Sequence, residues 1–184
     1  MFNLPNLVTL LRLALAPFVA RDIVAGNYGR AIVLFFIAGL TDVVDGFLAR
    51  RFSGSTSTGA YFDPIADKIL LSVIYIALGM AGAMPWWMVG IVFGRDVLIL
   101  AMAACGLLFT SLRKFPPSVW GKISTFFQIS AALMVMVARA GFWAPVTLAL
   151  VLMVAGTAIS GVHYMWRGIT MLRASSDSGR TAAR

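Results

Sequence analysis

The stretch TDVVDGFLARRFSGSTSTGAYFDPIADK, residues 41–68, places four carboxylates inside an otherwise apolar chain. The protein has 184 residues, of which 60% are hydrophobic and only 12% are charged. Soluble domains carry about 25% charged residues, so this composition is typical of integral membrane proteins. All seven acidic residues are aspartates. Charges at membrane depth are costly and usually functional, which makes this stretch the first candidate for a site.

Six apolar segments are long enough to cross a bilayer, since a membrane helix needs about 20 residues. Glycine, proline and serine residues separate these segments as turns. The first segment lacks the basic start and cleavage site of a signal peptide, so we expect it to be the first helix. We predict an all-α integral membrane protein with one six-helix domain over 1–173 and a disordered polar tail over 174–184. The predicted helices are 6–24, 29–51, 61–82, 85–111, 119–140 and 143–172.

Lysine and arginine residues predict the orientation of this six-span arrangement. The termini, the second loop and the fourth loop share one side and carry eight basic residues, against three in the opposite loops. We therefore predict cytoplasmic termini, with residues 42–51 and 61–68 meeting at the cytoplasmic ends of helices two and three. The net charge of +8 favours an anionic membrane surface or a phosphate-bearing substrate over nucleic acid, because the cations are sparse and embedded in apolar sequence.

The four aspartates form two helical pairs. Asp42 and Asp45 are three residues apart, and Asp63 and Asp67 are four apart, so each pair occupies one helical face. Antiparallel neighbouring helices would bring these faces together, and four ionised carboxylates then need a counter-charge. Oxygen ligands suit Mg²⁺ or Mn²⁺, and two such ions about 3.5–4 Å apart promote phosphoryl displacement. The pattern predicts a site for two divalent cations.

Small residues surround the acidic faces. Gly46, Ala49 and Gly59 leave room for a bulky ligand, and Arg50 is placed to contact a phosphate with two hydrogen bonds. Each feature also has a structural explanation, because a single aspartate pair is often solvated and glycine often serves helix packing. The combination in an acid-poor chain is what indicates function.

Taken together, these positions read D-x2-D-G-x2-A-R-x8-G-x3-D-x3-D from Asp42 to Asp67. This pattern resembles the signature of the CDP-alcohol phosphatidyltransferase family at every fixed position. The resemblance implies six membrane helices, a homodimer, and transfer of a phosphatidyl group from CDP-diacylglycerol to an alcohol with release of CMP. It also implies that the four aspartates bind two divalent cations that hold the donor diphosphate, with Asp67 as general base. The implied wall around the cytidine nucleotide consists of Gly46, Ala49, Arg50 and Gly59.

The first helix supplies further candidates for donor binding. Asn6, Thr9 and Arg12 lie near one helical face and are within reach of the nucleotide or phosphates of CDP-diacylglycerol. A polar face packed against neighbouring helices is the alternative. The N-terminal sequence resembles two family branches, which make phosphatidylglycerol phosphate and cardiolipin.

Arg95 and Lys122 are the candidates for binding the phosphate of the acceptor, because charges within a membrane are functional by default. Asp96 follows Arg95 directly, so the two side chains are expected to point to different faces and need not pair. Asp96 would then orient a neighbour such as Arg12 or Lys122. A buried structural ion pair is the alternative.

Two positions favour cardiolipin synthesis from phosphatidylglycerol. The resemblance implies Arg-Glu in the phosphatidylglycerol phosphate branch where this chain has Arg95-Asp96, and a second lysine where it has Ser124. Losing a cation suits an acceptor with a phosphodiester better than glycerol 3-phosphate. The open alternatives are phosphatidylglycerol phosphate synthase, with glycerol 3-phosphate as acceptor, and an ion or metal transporter. Without an Arg- and Ser-rich leader, a bacterial inner membrane is expected over a mitochondrial one.

Overall fold

The computed structural model describes residues 4–52, 59–109 and 119–181, with the side chains of 10–41, 68–102, 119–166, 168 and 170. The six predicted helices are confirmed as helices, and the described residues contain no strand. Most of the observed ends lie within a few residues of the predicted ones. The helices are α1 (Leu4–Val24), α2 (Tyr28–Phe52), α3 (Gly59–Met80), α4 (Trp86–Phe109), α5 (Val119–Arg139) and α6 (Val146–Thr181).

The C-terminal end of α6 differs from the predicted boundary. The helix continues to Thr181 and so includes residues 174–181, which composition assigns to a disordered tail. This segment contains no proline, and a helix satisfies its backbone hydrogen bonds internally. It can therefore continue beyond the last apolar turn.

The chain divides into two compact units. The first unit comprises Met1–Trp86 and Ala132–Val146, and in it α1 packs against both α2 and α3. The face of α1 that is buried here repeats every three or four residues, at Ala16, Val19 and Ile23. Alanines are prominent among the buried residues of this unit, and small side chains let membrane helices approach closely.

Glycine caps end α1, α3 and α5. Gly26, Gly82 and Gly141 have φ values of 78°, 64° and 93°, in the left-handed region that glycine adopts without a steric penalty. At each end the glycine N–H bonds the carbonyl three residues back, and the following N–H bonds the carbonyl five residues back. This is the Schellman arrangement, which satisfies carbonyls left open at a helix end. The turn signals at these glycines are thus confirmed.

The second unit comprises Trp87–Ala131 and Thr147–Arg184, with α4, the first part of α5 and α6. A side chain at Gly156 of α6 would place its Cβ 2.9 Å from the ring of Phe127 on α5. Real Cβ atoms do not approach that closely, so the glycine permits this helix contact. The close contact brings polar side chains of α5 and α6 within hydrogen-bonding distance.

Both the surface and the interior of the described residues are rich in apolar side chains, and a few polar residues are buried among them. Large apolar side chains are exposed along the helices, including Leu40, Phe126 and Trp143, while Arg12, Arg95 and Gln128 are buried. Among the described residues, Val119–Arg139 and Val146–Trp166 are long and apolar enough to cross a membrane, and Tyr28–Thr41 and Lys68–Met80 are shorter apolar helices. Exposed apolar surface of this extent indicates contact with lipid.

Candidate functional site

The acidic motif lies on two helices of the first unit. Asp42 and Asp45 belong to α2, and Asp63 and Asp67 belong to α3, so both pairs have the predicted helical spacing. Because α1 packs against both helices, it joins the two halves of the motif in one unit. The side chains of all four aspartates lie outside the described residues. The described side chains contain no group of three or more His, Cys, Asp or Glu residues suited to a metal.

The other candidates for binding CDP-diacylglycerol, like the four aspartates, lie on described helices. Their helices are observed, but their side chains lie outside the described residues; they are Gly46, Ala49 and Arg50 on α2, Gly59 on α3, and Asn6 and Thr9 on α1. Arg12 on α1 is described and is only 2% exposed. A guanidinium at this depth is costly unless it is compensated, so Arg12 belongs to the polar interior of the protein.

Arg95 of α4 is the centre of a described polar cluster in the second unit. Its side chain is 6% exposed and pairs with Asp96, whose Oδ1 lies 2.6 Å from Nη1. Nη2 donates to Ser160 Oγ on α6 at 3.1 Å and to the Gly121 carbonyl on α5 at 3.3 Å. Nε lies 3.4 Å from the same serine oxygen. A single guanidinium therefore links α4, α5 and α6, and we call Arg95, Asp96, Ser160 and Gly121 the arginine clamp.

The arginine clamp corrects one prediction. The sequence predicts that Arg95 and Asp96 point to different faces and need not pair, yet they form an ion pair at 2.6 Å. The expectation considered only the directions of the Cα–Cβ bonds. The arginine side chain is long enough to curve around the helix and return its guanidinium to the neighbouring carboxylate. The alternative of a buried ion pair is therefore confirmed for these two residues.

Tyr164 packs beside Gly121 of the arginine clamp. Tyr164 on α6 is 6% exposed. A Cβ on Gly121 would lie 3.0 Å from the Tyr164 hydroxyl and 3.3 Å from Nη2 of Arg95. The absence of a side chain at Gly121 lets its carbonyl accept from Arg95 and lets the tyrosine pack beside it. Any larger residue would displace both groups.

A second set of hydrogen bonds continues between α5 and α6. Ser124 Oγ lies 3.4 Å from Thr157 Oγ1, and the Gln128 amide donates to the same oxygen at 3.2 Å. All three residues are buried. Arg95 and Ser124 were singled out in the sequence, but their hydrogen bonds to Ser160 and Thr157 on α6 were not predicted. These bonds do have a sequence signal, because polar residues at 124 and 128 on α5 and at 157, 160 and 164 on α6 repeat at helical spacing.

Lys122 differs from Arg95 in its surroundings. It follows Gly121, whose carbonyl Arg95 holds, and its side chain is exposed. The guanidinium of Arg95 is largely occupied by protein oxygens, whereas the ammonium of Lys122 is accessible. The two predicted acceptor residues thus lie at the same part of the second unit, with the clamp fixing the backbone from which Lys122 extends.

Comparisons with known proteins identify the chain's relatives. A sequence model described as CDP-alcohol phosphatidyltransferase matches residues 2–162. The chain is 35% identical over 181 residues to the Mycobacterium tuberculosis "Probable phosphatidylglycerophosphate synthase", covering 91% of this chain and 82% of that protein. It is 32% identical over 199 residues to the Bacillus subtilis "CDP-diacylglycerol--glycerol-3-phosphate 3-phosphatidyltransferase", covering 96% and 100%.

A relative from another branch matches a shorter stretch. The human "Cardiolipin synthase (CMP-forming)" is 37% identical over 101 residues, which cover 54% of this chain and 34% of the human protein. The family model spans the acidic motif, the arginine clamp and Lys122 together. By this match and by the relatives of full length, the chain is a phosphatidyltransferase and belongs to the CDP-alcohol phosphatidyltransferase family.

Proposed function

We propose that the protein transfers the phosphatidyl group of CDP-diacylglycerol to phosphatidylglycerol, giving cardiolipin and CMP. Membership of the transferase family supports the reaction class and sets aside the transporter alternative. The complete acidic motif on α2 and α3 supports an active enzyme. The observation that favours phosphatidylglycerol as acceptor is the neutral, buried pair of Ser124 and Thr157, at the position where a second lysine would suit glycerol 3-phosphate.

The proposed chemistry begins with the four aspartates. Their donor set consists of carboxylate oxygens alone, which fits two Mg²⁺ or Mn²⁺ ions held by Asp42, Asp45, Asp63 and Asp67. Ions bound there would neutralise the donor diphosphate and stabilise the charge that develops in the transition state. Gly46, Ala49, Arg50, Gly59, Asn6 and Thr9 are the proposed contacts of the nucleotide and phosphates of CDP-diacylglycerol.

Asp67 is the proposed general base. Its carboxylate accepts the proton of the acceptor hydroxyl while the hydroxyl oxygen forms a bond to the phosphatidyl phosphorus. The bond between this phosphorus and the bridging oxygen of the diphosphate breaks, and CMP leaves with the electron pair. Apolar helices around the reacting groups would keep water from replacing the acceptor hydroxyl.

Binding of the acceptor phosphate is assigned to Lys122 and Arg95. Lys122 is exposed and offers an ammonium to a single phosphodiester charge. Arg95 remains a proposed acceptor residue, and its bonds to Ser160 and Gly121 give it a second task, which is to fix the start of α5. Lys122 is the accessible cation, and Arg95 beside it is held by protein oxygens. This arrangement suits an acceptor that carries one negative charge.

The wider setting of the reaction is also a proposal. All six helices would span a bacterial inner membrane with both termini in the cytoplasm, and the acidic motif would face the cytoplasm at the ends of α2 and α3. The basic residue bias supports this orientation. A homodimer is proposed from the family resemblance. CDP-diacylglycerol would enter sideways from the bilayer.

Acceptor choice is tested with purified protein in detergent, CDP-diacylglycerol and Mg²⁺ or Mn²⁺. We expect cardiolipin when phosphatidylglycerol is supplied and no phosphatidylglycerol phosphate when glycerol 3-phosphate is supplied. Product from glycerol 3-phosphate alone would instead support phosphatidylglycerol phosphate synthesis. That second candidate is favoured by the relatives that match along their length. Radiolabelled CMP release and lipid mass spectrometry distinguish the two results.

Lys122 provides a second test. We expect Lys122→Gln to raise the KM for the acceptor at least about 10-fold and leave the KM for CDP-diacylglycerol unchanged, since it removes one charge-assisted contact worth about 1.5–3 kcal/mol. Lys122→Arg keeps the charge and should recover most of the affinity. Initial rates at varied concentrations of each substrate measure both constants. Equal effects of Lys122→Gln on both substrates would remove Lys122 from the acceptor site.

A further inference from the structure

An apolar groove lies between the C-terminal halves of α1 and α3, within the first unit. Its volume is about 330 Å³, which is within the usual range for ligand pockets. It runs along α3 from Val73 to Met80, or about 10 Å at the helical rise. The groove is open to the surface and its lining is apolar apart from one side chain; the lining residues are Ala20, Arg21, Val24, Val73, Ile76, Ala77 and Met80.

Arg21 is the charged member of this lining and lies in the last turn of α1. Its side chain is exposed, and among the described residues it makes no ion pair or hydrogen bond. The carboxylate of neighbouring Asp22 is engaged by Arg30 at 3.7 Å. Arg21 therefore presents a guanidinium with no ion-pair partner among the described residues, at the end of the groove where α1 and α3 both terminate.

This combination matches one class of occupant. An acyl chain fits a narrow apolar groove, and a guanidinium binds phosphate oxygens with two parallel hydrogen bonds. A single phospholipid carries both groups, with its phosphate at the membrane surface and its chain beside the helices. A net negative head group adds attraction to the cation. A polar metabolite would gain nothing from the apolar lining, and a neutral acyl chain would leave Arg21 unused.

We propose that the groove between α1 and α3 binds one anionic phospholipid, with an acyl chain along Val73–Met80 and the phosphate on Arg21. The inference rests on the membrane setting given under the proposed function, but not on its reaction. The lipid would not be a substrate. It would fill the open seam between two helices of the unit that carries the acidic motif.

The test measures retained lipid rather than activity. The protein is reconstituted in nanodiscs with equal parts phosphatidylserine and phosphatidylcholine of identical chains, then released for native mass spectrometry. We expect wild type to retain phosphatidylserine preferentially and Arg21→Gln to lower its occupancy about fivefold, as expected for loss of one surface cation. Arg139→Gln removes the same charge outside the groove without releasing a carboxylate, because Arg139 donates to the Gly82 carbonyl, and it should retain the lipid. Ala20→Phe fills the groove and should lose it, whereas Ala14→Phe on the exposed face of α1 should not.

Three results would overturn the proposal. Equal loss in Arg21→Gln and Arg139→Gln would show attraction to surface charge alone. Retention in Ala20→Phe would place the lipid elsewhere. A change of oligomeric mass in Ala20→Phe would show that a second copy of the chain covers the groove. A retained lipid in a protein without transferase activity would contradict the proposed reaction and leave this site intact.

Discussion

Replacing Asp67 by asparagine is expected to lower the rate of phosphatidyl transfer by at least about 100-fold, and up to about 10⁴-fold, because it removes the general base. The change also removes one carboxylate charge from the proposed cation site. Asparagine keeps the shape of the side chain, so α3 should form as before. Release of labelled CMP from CDP-diacylglycerol, measured at saturating acceptor, reports the rate.

The matched control is Asp177→Asn, which makes the same chemical change outside the motif and should leave the rate unchanged. Thermal unfolding of both variants in detergent checks that the loss reflects chemistry and not misfolding. A fully active Asp67→Asn enzyme would require a different base. Loss of CMP release in both variants would show that the effect is not specific to Asp67 of the acidic motif.

Replacing Arg95 by methionine is expected to lower the free energy of unfolding by about 3 kcal/mol, because it breaks a largely buried ion pair by removing one of its members. The Asp96 side chain is 17% exposed, so water can compensate for only part of the lost pair. In a chain of this length, the midpoint of thermal unfolding should fall by about 6 °C or more. Ser160 and the Gly121 carbonyl lose their shared donor as well.

A double variant separates stability from function. Arg95→Met combined with Asp96→Asn removes both charges, and we expect it to recover most of the lost stability, since replacing a whole buried pair costs little. The KM for the acceptor should stay high in the double variant, because the start of α5 remains unfixed. Arg139→Met is the control for losing an arginine, since Arg139 is exposed and donates to the Gly82 carbonyl. That change should cost only about 1 kcal/mol.

Two results with the single and double variants of Arg95 would contradict the prediction. If the double variant is as unstable as Arg95→Met, the ion pair with Asp96 is not what holds the clamp together. If the acceptor KM recovers along with stability, Arg95 acts on the fold alone. The prediction is supported if the double variant regains its stability and its KM for the acceptor stays above that of wild type.

Local features of the amino-acid sequence were sufficient to predict the helices and the reaction class. Apolar segments of membrane length, interrupted by Gly26, Gly82 and Gly141, were sufficient to locate the helices because each signal is local in the chain. The resemblance of the eight fixed positions from Asp42 to Asp67 to a family signature was sufficient to name the family, and the family match confirms it.

The partners of the buried polar residues depend on how the helices pack. Arg95 turned back to Asp96 and reached Ser160, which is 65 residues away in the chain. Sequence spacing gives the direction of a Cα–Cβ bond, but the end of a long side chain goes where a neighbouring helix offers an acceptor. The groove beside Arg21 likewise depends on how α1 packs on α3. Local patterns specify helices and motifs, whereas hydrogen bonds between distant helices and the spaces left between them exist only after packing.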